Sequence, residues 1–115
     1  MSRKYLNFDL DTKALQEWYP HGDWHNAYMD IRRYLEEHGF EHRQGSGYVS
    51  KKNLNLLQAT VIVQRMAREY LWLQPCLKEL DVTNVGKTVS LNEAVSDAHD
   101  ERMQEIMTSQ KRRLK

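Results

Sequence analysis

At 115 residues the chain has room for one domain with a real apolar core, so it needs no disulfide or metal staple to fold. Its single cysteine, Cys76, excludes an intramolecular disulfide and any multi-cysteine zinc site. Basic and acidic residues, 17 against 16, nearly cancel, so bulk charge does not announce a nucleic-acid binder.

No apolar run approaches membrane-spanning length and no signal-peptide core opens the chain, which sets the expectation of a soluble cytoplasmic protein. Basic residues gather at Arg32, Arg33, Arg43, Lys51 and Lys52, and again at Lys111, Arg112, Arg113 and Lys115. Clusters of this size are usually solvated surface.

In chain order, Tyr5-Leu6-Asn7-Phe8-Asp9-Leu10-Asp11 comes first and alternates apolar with polar residues, the period of a strand with one apolar face. With Leu6, Phe8 and Leu10 in a core, Asp9 stands on the other face near the strand's C-terminal end. A carboxylate there can bind a metal ion, orient a water or simply be solvated, with Asp9 and Asp11 starting a turn. The passage through Trp18, Tyr19, Pro20, His21, Gly22 and Asp23 reads as turn-rich. Asp23 is placed to cap a helix running to about His38, which buries Ala27, Ile31, Tyr34, Leu35 and His38 and ends at Gly39. His21 and His25 straddle the start of that helix, so the histidines make no metal set.

Phe40–Arg43, the turn Gln44-Gly45-Ser46-Gly47 and Tyr48–Ser50 read as a hairpin, both glycines being free to take positive φ. Ser46 is either a phosphate ligand, through its hydroxyl and neighbouring N–H groups, or a serine of the kind turns favour. A longer helix is expected from a cap at Asn53 to about Leu73, burying Leu56, Ala59, Ile62, Val63, Met66, Ala67 and Tyr70 and closed by Gln74-Pro75. Cys76 to Val85 reads as the last clear strand. Cys76, Leu80 and Val82 share one face, and Leu77, Glu79, Asp81, Thr83 and Val85 the other. Cys76 itself is read as a small buried hydrophobe. After a Gly86-Lys87 turn, Thr88-Val89-Ser90 is a candidate extra strand. Residues 91–115 read as a polar tail, helical or in part disordered, appended to a domain of residues 1–90.

This order is the β-α-β-β-α-β of an α+β, ferredoxin-like fold, an antiparallel-containing sheet with both helices on one face and the first and last strands adjacent. Asp9 then comes near Glu79 on the helix-free face, beside Tyr5, Asn7, Leu77, Thr83 and Val85. A homodimer stacking sheet on sheet through that face would cover the mixed surface and bring two Asp9 carboxylates together. A shared proton or a cation would relieve their repulsion.

Phe8-Asp9-Leu10, Ala27-Tyr28-x-Asp30-Ile31, Gly39-Phe40 and above all Gln44-Gly45-Ser46-x-Tyr48 resemble the virulence-associated protein D (VapD) family, over about Leu6 to Val85. That family comprises small bacterial ferredoxin-like endoribonucleases, often toxins of toxin–antitoxin pairs, and is similar to the small CRISPR-associated nuclease of spacer acquisition. The resemblance implies a dimeric ribonuclease acting on RNA, with an antitoxin protein as a candidate partner. Asp9 matches the aspartate ending the first strand and Ser46 the serine of the turn. A further acidic position falls on Glu79, where the family has Asp, with Asp81 its rival.

On this reading Asp9 is a general base or the ligand of a divalent metal such as Mg²⁺. Ser46 positions the phosphate, and Arg43 or Lys51 supplies positive charge. Gln44, Gly45 and Tyr48 join them in contacting substrate. The nucleophile is the RNA 2′-OH or a metal-bound water. Two other readings share the fold: a non-catalytic dimer that holds RNA or a protein, and a DNA nuclease or scaffold like the CRISPR-associated relative.

Overall fold

The alternation near the N-terminus becomes strand β1 (Tyr5–Leu10), with Leu6, Phe8 and Leu10 buried and Asn7 and Asp9 exposed. The computed structural model describes residues 2–84 and 87–113, with the backbone alone at 87, 88 and 111–113. After β1 come α1 (Thr12–Trp18), α2 (Asn26–Glu37), β2 (Phe40–His42), β3 (Gly47–Ser50) and α3 (Leu56–Glu69). Then follow α4 (Leu73–Cys76), β4 (Leu77–Asn84), β5 (Lys87–Ser90) and α5 (Asn92–Arg113). The expected turn at Gly86, the residue Val85 and the basic side chains of Lys111, Arg112, Arg113 and Lys115 lie outside the described residues. The five strands form one antiparallel sheet in the order β2-β3-β1-β4-β5, so the fold is α+β with β1 at the centre. Among the described residues no helix is long and apolar enough to cross a membrane.

One face of the sheet builds the core. Leu6, Phe8, Leu10, Tyr48, Leu80 and Val82 are buried there with Ala27, Ile31 and Leu35 of α2 and Ala59, Val63 and Met66 of α3. Leu91 and the start of α5, through Val95 and Ala98, complete this core. Asn92 fixes that start: its side-chain oxygen accepts the Leu80 N–H at 2.7 Å, and its amide donates to the Lys78 carbonyl at 3.0 Å. Further along α5, the Arg68 guanidinium of α3 grips both oxygens of Glu105 at 2.6 and 2.7 Å.

Several boundaries differ from the reading of the sequence, each for a local reason. The Asp11 carboxylate accepts the N–H groups of Lys13 and Ala14 at 3.0 and 3.2 Å, so it caps α1. The periodicity of α1 is faint because only Leu15 is buried. The Asp23 carboxylate accepts the His25 N–H at 3.0 Å and caps a turn that leads into α2. Asn55, two residues beyond the expected Asn53, caps α3 in a reciprocal box with Gln58. That start leaves Leu56 outside the core, 44% exposed. Gln74-Pro75 does not close one long helix but lies inside α4, in a first turn where proline's missing N–H costs nothing. Tyr70 and Trp72 stack with ring centroids 5.5 Å apart, making a corner of the apolar run that reads as a helix continuation.

Cys76 closes α4 rather than opening β4, and it is buried. The β1–β4 ladder pairs Asp9 with Glu79 and then Leu10 with Leu77, skipping Lys78. This irregularity inserts a residue, so Leu77 packs against the core instead of joining Glu79 on the opposite face.

Candidate active site

The exposed face of the sheet carries the carboxylates. Asp9 on β1 stands opposite Glu79 on β4, and Asn7 opposite Asp81. Directly opposed residues of this kind bring their Cβ atoms to about 5 Å. The Glu79 carboxyl is pushed above its ordinary value, first by a hydrogen bond with Asp81 and by that neighbour's charge. Desolvation and the charge of Asp9 add to the shift. Asp9, Glu79 and Asp81 therefore form one acidic strip across the two central strands.

A tight turn abuts the end of that strip. The Arg43 N–H donates to the Gly47 carbonyl and the Gly47 N–H to the Gln44 carbonyl, both at 2.8 Å. Gly45 sits at φ +52°, where glycine is favoured, and its carbonyl lies 2.7 Å from His42 Nε2. The Phe8 N–H donates to the Ser46 carbonyl at 3.3 Å, pinning the turn one residue away from Asp9. Gly47, expected to take positive φ, does not. The Tyr5 ring crosses it, and a Cβ at this position would overlap the Tyr5 hydroxyl where the ring now lies. Tyr5, His42, Arg43, Gln44 and Val49 line an open depression of about 540 Å³.

The fold thus gathers Asp9, Glu79, Asp81, Arg43, Gln44, Gly45 and Ser46 toward one end of the central strands. It does not bring Lys51 and Tyr48 to them. Lys51 follows Ser50, whose N–H donates to the Lys4 carbonyl at the opposite end of β1. That separates it from Asp9 by six strand positions, about 20 Å. Tyr48, expected to contact substrate, lies in the core at 2% exposure, stacked on Phe8 with centroids 5.9 Å apart. Burial raises its phenol, with the charges of Arg32 and Glu36 acting in opposite directions on it.

Tyr5 stands on the strip's face, as the alternation of β1 implies, and only its crossing of Gly47 is new. One neighbour of the strip escaped the sequence reading: Tyr28 of α2, a partly buried phenol raised by desolvation and by the charge of Asp9. Its only signal is its place in the Ala27-Tyr28-x-Asp30-Ile31 segment.

No three His, Cys, Asp or Glu side chains converge as a metal cage among the described residues. Asp9 with Glu79 opposite suits the other mode of binding Mg²⁺, in which one or two carboxylates hold an ion that keeps waters and substrate phosphate oxygens as its remaining ligands.

No family model matches the chain. It is 29% identical over 89 residues to endoribonuclease VapD 2 of Riemerella anatipestifer, covering 77% of this chain and 95% of that protein. It is 30% identical over 90 residues to the endoribonuclease VapD homolog of Helicobacter pylori, covering 78% of this chain and 93% of that protein.

Proposed function

The chain belongs to the VapD endoribonuclease family, and from that membership we propose that it cleaves RNA phosphodiester bonds at the strip and turn around Asp9. The observation that carries this is the exposed Asp9 at the end of β1, with Glu79 opposite it and the Ser46 turn bonded to its neighbour Phe8. Asp9 is the carboxylate that accepts a proton from the attacking hydroxyl or holds a divalent ion. The ion, when bound to Asp9 and Glu79, supplies charge for the phosphate oxygens. Ser46 positions the phosphate. Arg43 is exposed and makes no ion pair among the described residues, so its charge is available to the same phosphate.

The fold belongs with this reading as a ferredoxin-like one, supported by β1 lying between β3 and β4 with an antiparallel partner on each side. The active form is a homodimer through the exposed sheet face. With Leu77 turned inward, that face offers the acidic strip as its centre with Thr83 beside it, and leaves Tyr5 and Val49 at its rim, where they line the open depression. A toxin role, with a protein antitoxin as partner, follows from the family resemblance alone and is tested separately by whether induced expression arrests growth.

The experiment for the activity is incubation of the purified chain with an RNA and with a DNA of the same sequence. Cleavage of the RNA with the DNA left intact supports the proposal. Equal cleavage of both would move the reading to a DNA-competent nuclease, and binding without cleavage to a non-catalytic module.

A further inference from the structure

We propose that Tyr5 is a stacking platform for a nucleobase of the bound RNA, with Gln44 at the edge of that base and Arg43 on the backbone side of it. The inference rests on the endoribonuclease reading above and extends it to how the enzyme holds its substrate.

Tyr5 projects from the outward face of the central strand, where Val49 and Thr83 are its ladder neighbours. Its ring crosses Gly47 of β3, where any side chain would collide with it. Gly47 opens β3 at the end of the turn, and a strand glycine often marks a close approach by another group. Here the approaching group is an aromatic ring that remains partly exposed and forms a wall of the open depression.

The rest of the depression has the chemistry a base requires. Arg43 is an exposed guanidinium with no ion-pair partner among the described residues. Gln44 is exposed at the turn and its amide carries both donors and an acceptor. His42 is already held at the Gly45 carbonyl and forms the rim. Unpaired RNA bases are recognised by stacking on aromatic or guanidinium planes and by hydrogen bonds along their edges.

Position narrows the assignment. Tyr5 lies four residues from Asp9 along β1, about 13 Å, and its ring leans toward Gly47, which pairs with Asn7. A base stacked there belongs to a nucleotide flanking the scissile phosphate. The depression opens over β3 and the β2–β3 turn, at the rim of the sheet-on-sheet contact proposed for the dimer.

A tyrosine over a glycine also supports the sheet mechanically, so the test separates stacking from support. Tyr5→Leu covers the glycine without an aromatic face, and Tyr5→Phe keeps the ring. Cleavage kinetics of a short single-stranded RNA are measured for each. Binding is measured with Asp9→Asn in the same backgrounds, using that RNA intact and with one abasic position at a time. The expected result is about a tenfold weaker Kd for Tyr5→Leu, seen in KM rather than kcat, and recovered by Tyr5→Phe. One abasic position should cost a similar factor with Tyr5 present and nothing further with Leu there.

Equal binding by Tyr5→Leu and wild type, or an equal loss on intact and abasic RNA, would overturn the platform while leaving the nuclease reading standing. Should Tyr5→Leu fail to fold, the abasic series on the tyrosine and phenylalanine proteins decides, and a flat series rejects the proposal. A wild type that neither binds nor cuts RNA removes both readings together.

Discussion

Asp9 and Glu79 face each other across the β1–β4 ladder, on the exposed side of the two central strands. The pairing puts a strand-end carboxylate into direct register with a glutamate whose carboxyl Asp81 holds above its ordinary value. Three acidic side chains from two strands therefore share one field, and Glu79 is the one held above its ordinary value by it.

The first prediction concerns that field. Glu79 should titrate above an ordinary glutamate, because the neighbouring Asp81 carboxyl favours its protonated form by hydrogen bonding and repels its charge. A raised folded value favours the protonated form. Its contribution to stability is full below the unfolded glutamate value and lost as pH rises through the folded one. Carboxyl NMR titration should show Glu79 returning toward its ordinary range in Asp81→Asn. The change in Asp9→Asn should be smaller, since the charge of Asp9 acts on Glu79 more weakly than Asp81 does. An unshifted Glu79 in wild type would contradict the shared field.

Arg43 and Lys51 separate by geometry what composition makes alike. Arg43 borders the turn beside the acidic strip, whereas Lys51 sits at the other end of the hairpin. Arg43→Ala should lower kcat/KM on RNA by about tenfold or more, the loss expected when one hydrogen bond to a charged group is removed. Lys51→Ala should remain within about twofold of wild type. A larger loss at Lys51 would require a substrate path along the whole sheet.

Denaturant unfolding should distinguish the two asparagines before α3. Asn55 accepts the Gln58 N–H at 2.7 Å, and Gln58 returns a bond to the Asn55 N–H. Asn55→Ala should cost about 1 kcal/mol. Asn53→Ala, on the exposed loop before the cap, should fall within about 0.5 kcal/mol of wild type.

Cys76 is buried, and its thiol is pushed up to about 11, mainly by burial with Asp11 adding to it. The thiolate is the reactive form, so the folded protein should resist alkylation at pH 8 and react once unfolded. Cys76→Ser should destabilise by about 1–3 kcal/mol, the cost of a buried hydroxyl that finds no partner. Rapid alkylation of the native protein would contradict the burial.

Local pattern accounts for how much of the fold could be read from the sequence. The alternation of β1 and the stripe of α2 from Ala27 to Leu35 survive because each buried residue follows the period of its own element, whereas His38, expected in that stripe, is exposed just past the end of α2. The Gln44–Gly47 turn announces itself through glycine. By contrast, α1 was hidden because a helix resting on Leu15 alone shows no stripe, even though Asp11 supplied a capping signal. Tyr70–Leu73 looked like more helix because apolar residues at a buried corner and along a helix face are indistinguishable over so short a run. The inward turn of Leu77 depends on skipping Lys78 in the ladder, which only the register reveals. Within the candidate site, the neighbours of Asp9 by chain direction were legible. Tyr5 over Gly47, Tyr28 near Asp9 and the remoteness of Lys51 all follow from strand pairing and helix placement, which lie beyond one-dimensional pattern.

The most direct measurement is cleavage of a structured and an unstructured RNA by purified wild type and Asp9→Asn, each with Mg²⁺ and with EDTA. The substitution keeps the shape of an exposed side chain and removes its charge, so circular dichroism should be unchanged. The account predicts that wild type cuts and Asp9→Asn does not, with the EDTA arm deciding between the ion-holding and proton-accepting roles. Equal cutting by the two proteins would contradict it and place the chemistry away from the β1–β4 strip.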